Sequence, residues 1–239
     1  MSPDIVIFAL IAAFLIHRLR SVLGTRNDND KQQSNPFADN DKVVPINKDQ
    51  QSDYNGQNQD AYAPPPKPDS VPTLDDLEPF KDDIADSDTV RQGLLDIASE
   101  DARFDVHGFL GGARSAFEYI VYAYAQNDLK ILKELLSPSL YKDFAQGVKE
   151  RKKSGNSLEI EIHRITSAKI IDARLGGSMA YVTIDFDVEE TSTTKDKKGN
   201  VIDGDPESIT EVIDIWTFAK DIRSTDPNWM LIETRTEDK

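Results

Sequence analysis

The chain has 239 residues, 43 Asp and Glu against 28 Lys and Arg, a formal net charge of -15, and no cysteine. That length accommodates one ordinary domain with additional segments, and the missing cysteines exclude disulfides, thiolate metal sites and a cysteine nucleophile. The acidic balance disfavours nonspecific nucleic-acid binding, so no direct nucleic-acid partner is expected.

The chain opens on an unbroken apolar run from Ile5 to Ile16, preceded by Asp4 and followed at once by His17, Arg18 and Arg20. Ile5, Ile7, Phe8, Leu10, Ile11, Phe14, Leu15 and Ile16 supply its bulk. The strict run of about 12 residues is short against the roughly 20 of a helical span, but Met1 to Leu23 gives about 23 when Arg18 and Arg20 snorkel to the headgroups. A cleaved signal peptide would carry its charge before the run and a small-residue site after it; a mitochondrial presequence would be Arg-rich along its length. Neither pattern is present, and the polar stretch that follows argues against a helix buried in the folded domain. Residues 1–24 are therefore read as a single-pass membrane anchor. The cations on its C-terminal side point the rest of the chain into the cytoplasm or its equivalent.

Residues 25–86 read as a disordered, acidic, Pro-containing linker. Residues 27–87 alone carry about -9 of the charge, counted as a segment asymmetry. Asn27-Asp28-Asn29-Asp30 and Asn55-Gly56-Gln57-Asn58-Gln59-Asp60 bury too little apolar area to offset their ordering entropy. Pro64 to Pro68 is a short stiff piece. About 60 flexible residues give a reach on the order of 45 Å. Near its end, Leu74, Leu77 and Phe80 among five acids suggest a marginal amphipathic helix, with an acidic docking strip as the alternative.

A folded domain is expected over residues 87–239. Ser87 or Asp88 caps a helix with apolar positions Val90, Leu94, Leu95 and Ile97. A second helix is placed from Gly111-Gly112 through Tyr124, its glycines assigned to close helix packing. Asn127-Asp128 recaps a short third helix, and Leu140 to Val148 mark a fourth that ends in Arg151-Lys152-Lys153-Ser154-Gly155. After Asn156 the period changes to two. Strands follow through Leu158–Ile162, Ala180–Val188, Ile213–Thr217 and Trp229–Thr234, with turns at Gly176-Gly177 and Asp226-Pro227-Asn228. Helices followed by a curved antiparallel meander define an α+β fold, with the aromatic helix covering one face of the sheet.

Three motifs carry a family resemblance: Phe109-Leu110-Gly111-Gly112-Ala113-Arg114-Ser115-Ala116-Phe117-Glu118-Tyr119-Ile120-Val121; Leu135-Leu136-Ser137-Pro138-Ser139-Leu140-Tyr141; and Asp214-Ile215-Trp216-Thr217-Phe218 followed by Asn228-Trp229-Met230-Leu231. Together they make residues 88–236 resemble the Tim forty-four-like domain, whose family includes the matrix-side tether of the mitochondrial inner-membrane import translocase. His17 to Arg26 is similar to the anchor of bacterial membrane-bound members. The resemblance implies a cone-shaped, cystatin-like (nuclear-transport-factor-two-like) sheet with a large apolar pocket, and association with the inner membrane and its anionic lipids. The acidic linker stands where the mitochondrial tether has its chaperone- and channel-recruiting region, so docking of that motor does not carry over.

No catalytic residue, metal site or cofactor is expected. His17, His107 and His163 share no metal-ligand spacing, and Gly111-Gly112-Ala113-Arg114 is no phosphate loop. Asp185, Asp187 and Asp214 are assigned to a solvated strand face. Phe117, Tyr124 and Trp216 are candidates for pocket lining, with core packing as the competing role. Lys149, Arg151, Lys152 and Lys153 are the candidate anionic-lipid patch, with an ordinary solvated helix end as the alternative. The expected function is a membrane-anchored adaptor that tethers a protein client or lipid, with a link to protein translocation. The alternative is a small enzyme acting on a hydrophobic substrate through Asp214 or His163.

Overall fold

The computed structural model describes residues 71–237. The anchor residues 1–24 and the linker up to residue 70 lie outside the described residues. Among the described residues no helix is long and apolar enough to cross a membrane.

The order of elements is a 3-10 helix (Leu74–Phe80), then α1 (Asp88–Glu100), α2 (Val106–Ala125), α3 (Leu129–Leu135) and α4 (Pro138–Ser154), then β1 (Ser157–Gly176), β2 (Met179–Lys195), β3 (Val201–Gly204), β4 (Thr210–Asp221) and β5 (Met230–Glu237). The strands form one antiparallel sheet in the order β1-β2-β4-β5, with β3 added beside the far end of β2. The fold is α+β, as the helix-then-strand order predicts. β1 and β2 are long, and register shifts at three places in their pairing, near Ile162, Ile165 and Ile170, bend and twist them.

Local chemistry sets the helix ends. Asp128 accepts from the backbone N–H of Lys130 and Ile131 and starts α3; Ser137 does the same for Leu140 with Pro138 in the first turn of α4. Gly155 closes α4 at φ 73°, a left-handed position that favours glycine. The start of α2 corrects the sequence expectation. Asp105, not the glycine pair, is its cap, accepting from Gly108 N at 2.6 Å. Gly111 and Gly112 lie inside the helix, and a Cβ on either would meet nothing within 4 Å. Close packing therefore does not explain them. It does explain Gly93 on α1, where a Cβ would fall 1.9 Å from the carbonyl oxygen of Ala173 on β1.

The core lies between the helices and the inward face of the sheet. Phe117, Phe186 and Phe218 are fully buried. Phe117 stacks between Phe186 and Trp216 with ring centroids 4.8 and 4.5 Å away. Burying each such ring contributes about 1.5–3 kcal/mol, and aromatic pairs add about 0.5–1.5 kcal/mol. The packed unit begins before residue 87. Leu77 of the 3-10 helix and Ile84 are buried, and Ile84 pairs with Ile170 at the edge of β1. Backbone bonds from Ala85 N to Ile170 O and from Ile170 N to Asp83 O add this short segment to the sheet.

β4 corrects a second expectation, the assignment of Asp214 to a solvated strand face. The strand is marked in the sequence by Ile213, Ile215 and Thr217. The opposite parity, Asp214, Trp216 and Phe218, pairs with Phe186, Ile184 and Val182 and faces the core. Two large aromatics on the inward side outweigh two aliphatics, and Asp214 is carried in with them.

Candidate functional site

A cavity of about 40 Å³ opens between the helices and one end of the sheet. α2 contributes Ile120, Val121 and Tyr124; α4 contributes Phe144; β1 contributes Leu158 and Ile160. β4 and β5 supply the rest as two facing pairs, Asp214 opposite Thr236 and Trp216 opposite Thr234. The walls are apolar because helix and sheet turn their hydrophobic sides toward each other, and these two cross-strand pairs bring the carboxyl group and the threonine hydroxyls.

Asp214 is 3% exposed, so it does not belong to a solvated face. Its Oδ1 accepts from the Thr236 hydroxyl at 2.6 Å. Burial pushes its pKa up to about 6, against the opposing pull of that hydrogen bond. On the same inward side, β2 runs Ala180, Val182, Ile184, Phe186, Val188 and then Glu190, all buried. Glu190 is 1% exposed, and its Oε2 has no hydrogen-bond partner. Burial, with Asp214's charge adding to it, pushes its pKa up to about 8. Thr234 is 8% exposed, and its hydroxyl is also unpartnered.

Glu190 is the residue that sequence reasoning missed. The signal was present: alternation from Ala180 to Val188 puts position 190 at the next inward place. Asp185 is also more enclosed than a solvated face requires. It is half-buried with an unpartnered Oδ1, and burial together with the charges of Asp187 and Glu237 raises its pKa. It sits opposite Ile215, on the side of the sheet away from the cavity.

The other sequence-selected residues fall in different places. Tyr124 and Trp216 line the cavity, whereas Phe117 is fully buried behind Trp216. His163 lies on the other side of the sheet, its Nε2 2.7 Å from Thr191 Oγ1. His107, expected in a loop, is in the first turn of α2 near Phe80. Of the basic residues at the end of α4, Lys149, Lys152 and Lys153 are exposed. Arg151 is turned inward: its guanidinium lies 4.4 Å over the Tyr124 ring, donates to Asn127 Oδ1 at 2.8 Å, and donates to the Tyr124 carbonyl. Lys197, from the loop after β2, comes beside Gly155 at the same end of the helix. Among the described residues no group of three His, Cys, Asp or Glu side chains could hold a metal ion.

An uncharacterized protein of Rickettsia prowazekii (strain Madrid E) is 22% identical to this chain over 236 residues, 97% of each. Mitochondrial import inner membrane translocase subunit TIM44 of Rattus norvegicus is 25% identical over 147 residues, 59% of this chain and 32% of that protein. A probable mitochondrial import inner membrane translocase subunit, tin-44 of Caenorhabditis elegans, is 25% identical over 153 residues, 62% of this chain and 36% of that protein. The chain thus spans about a third of the length of these translocase subunits. Among solved structures, the intermembrane space region of the chloroplast protein ARC6 overlays 56% of this chain and 97% of its own, at 13% identity and a TM-score of 0.41. The Tim44-like domain family matches residues 90–236, more than half of the sequence. The chain belongs to the Tim44-like domain family.

Proposed function

We propose that this protein is a membrane-anchored adaptor whose Tim44-like domain holds a protein client or lipid at the inner face of the inner membrane, in support of protein translocation. The observation that carries this reading is the family match over residues 90–236 together with relatives named as inner-membrane import translocase subunits. Residues 1–24 are the single-pass anchor, residues 25–86 the tether, whose end from Leu77 to Ile84 packs onto the domain, and residues 87–239 the binding domain on the cytoplasmic side. Tethering raises the effective concentration of the domain for anything at the same surface. The curved sheet with its helical cover is read as the cystatin-like cone, and Tyr124 and Trp216 as the aromatic wall of its binding cavity. Exposed Lys149, Lys152 and Lys153 supply the contact to anionic headgroups, each worth roughly 1 kcal/mol close to the surface. Alkaline carbonate washing of membranes and protease digestion of sealed inner-membrane vesicles test the topology. The full chain should stay in the pellet with its C-terminal domain on the cytoplasmic side. Release as soluble protein, or a C-terminal domain on the opposite side, would overturn it.

One observation favours a second reading, a small enzyme acting on a hydrophobic substrate. Asp214 is a buried carboxyl group that lines the cavity with a raised pKa, and its charge adds to the burial that raises the pKa of Glu190, the environment that prepares general acids and bases. His163, the other residue offered for that chemistry, lies on the far side of the sheet. Incubation of the purified chain with an extract of hydrophobic metabolites, followed by mass spectrometry, separates the two. Depletion of a compound that Asp214→Asn abolishes supports the enzyme; no depletion supports the adaptor.

A further inference from the structure

The cavity concentrates acceptors and offers no positive charge of its own. Asp214 is almost fully buried, and among the described residues it has no ion-pair partner. Its one hydrogen-bond partner here is the Thr236 hydroxyl. Thr234, on the adjacent cross-strand pair, lines the same cavity with an unpartnered hydroxyl. A buried carboxylate with so little compensation is costly, and a hydroxyl without a partner adds to that cost. Natural cores seldom keep such groups without a use for them. Burial raises both carboxyls, Asp214 to about 6 and Glu190 further, to about 8, so Asp214 is the more readily ionised of the two. It is also the one carboxyl group among the cavity's lining residues.

The complement of that arrangement is a compact cation on an aliphatic stem. A primary ammonium offers three donors for the carboxylate and the Thr234 oxygen. The stem would run along Ile160 and Phe144, and the ring of Trp216 suits a nearby cation. Size narrows the choice further. About 40 Å³ suits a side-chain tip of a few heavy atoms or a few waters. We propose that this cavity binds a primary alkylammonium group, the head of a small aliphatic amine or the end of a lysine side chain, seated against Asp214 and Thr234. The inference rests on reading the cavity as a binding site.

The test uses the full chain in detergent micelles, titrated with n-butylammonium, Nα-acetyl-lysine methylamide, n-butanol and butyrate, and read by side-chain NMR shifts of the Trp216 indole. At least one of the two amines should bind about tenfold tighter than n-butanol, the margin of one charge-assisted hydrogen bond. Asp214→Asn should remove that margin and leave n-butanol binding intact. Thr234→Val, which preserves the carboxylate, should weaken amine binding about tenfold, as expected for one lost hydrogen bond from an ionised donor. Preference for the free amine assigns the site to a small molecule, and preference for the lysine derivative assigns it to a peptide. Equal binding of n-butanol and both amines by the unmodified chain would leave a binding site and overturn the cation proposal. No binding by any probe would overturn both. Asn at 214 relieves a buried charge, so the variant should fold, and its melting curve verifies this.

Discussion

The guanidinium of Arg151 lies 4.4 Å above the ring of Tyr124, which fastens the end of α4 to the end of α2. It also donates to Asn127 Oδ1 at 2.8 and 3.2 Å through Nη2 and Nε. Asn127 takes φ 59° in the turn between α2 and α3, so one side chain holds two helices and their connection. Arg151→Ala should lower domain stability by about 1–3 kcal/mol, through the lost charge-assisted bonds and ring contact. Urea unfolding at neutral pH measures it. Lysine in its place should recover only part of the loss, because its ammonium lacks the planar fork.

The same geometry divides the basic cluster by role. Lys149, Lys152 and Lys153 are exposed and carry the proposed lipid contact. Replacing these three with Gln should leave the melting temperature unchanged within the small range of surface substitutions. Binding to vesicles containing anionic lipid should fall, with a smaller effect at high salt. Flotation of the anchor-deleted chain at two salt concentrations is the readout, and unchanged flotation would remove the lysines from the account.

Glycines of opposite character make a third prediction. Gly93→Ala would drive its Cβ into the backbone of Ala173 and should separate α1 from β1, costing more than about 3 kcal/mol or preventing folding. Gly111→Ala and Gly112→Ala meet open space inside a helix, and each should stabilise by about 0.5–1 kcal/mol. Thermal melts of the three variants check both signs.

Glu190 and Asp214 link stability to pH. Both are held above their unfolded values, to about 8 and about 6. The folded state therefore binds more protons than the unfolded one between about pH 4 and 8, and stability falls as pH rises through that window. The combined effect is on the order of a few kcal/mol. Glu190→Gln cannot ionise and should flatten the pH 6–8 part of the curve. Denaturation of both proteins at pH 5.5, 7 and 8.5 gives the comparison. Identical slopes for the two would show that Glu190 does not titrate in this range.

Much of this fold was legible because its signals are local. Ser137-Pro138, Asp128 and Gly155 mark helix ends by their own side chains or backbone freedom, and the unbroken alternation of β2 fixes its inward face. β4 was misleading because Ile213 and Ile215 lie on the opposite parity to Trp216 and Phe218, and alternation alone gives no weight to ring size. Asp214 and Glu190 were hidden for a related reason. A carboxylate on a strand reads as solvated until the partner strands show which side is covered. Arg151 looked like one more cation at a helix terminus, since its contacts with Tyr124 and Asn127 arise only when α4 folds back on α2.

Crosslinking in native membranes decides whether the domain works from a membrane anchor. The full chain and a chain lacking residues 1–26 would be compared, with crosslinked partners identified by mass spectrometry and each protein followed through membrane fractionation. The adaptor account predicts membrane-bound partners, protein-translocation components among them, that the full chain captures and the shortened chain loses as it leaves the membrane fraction. The same partners and the same fractionation after the deletion would contradict it.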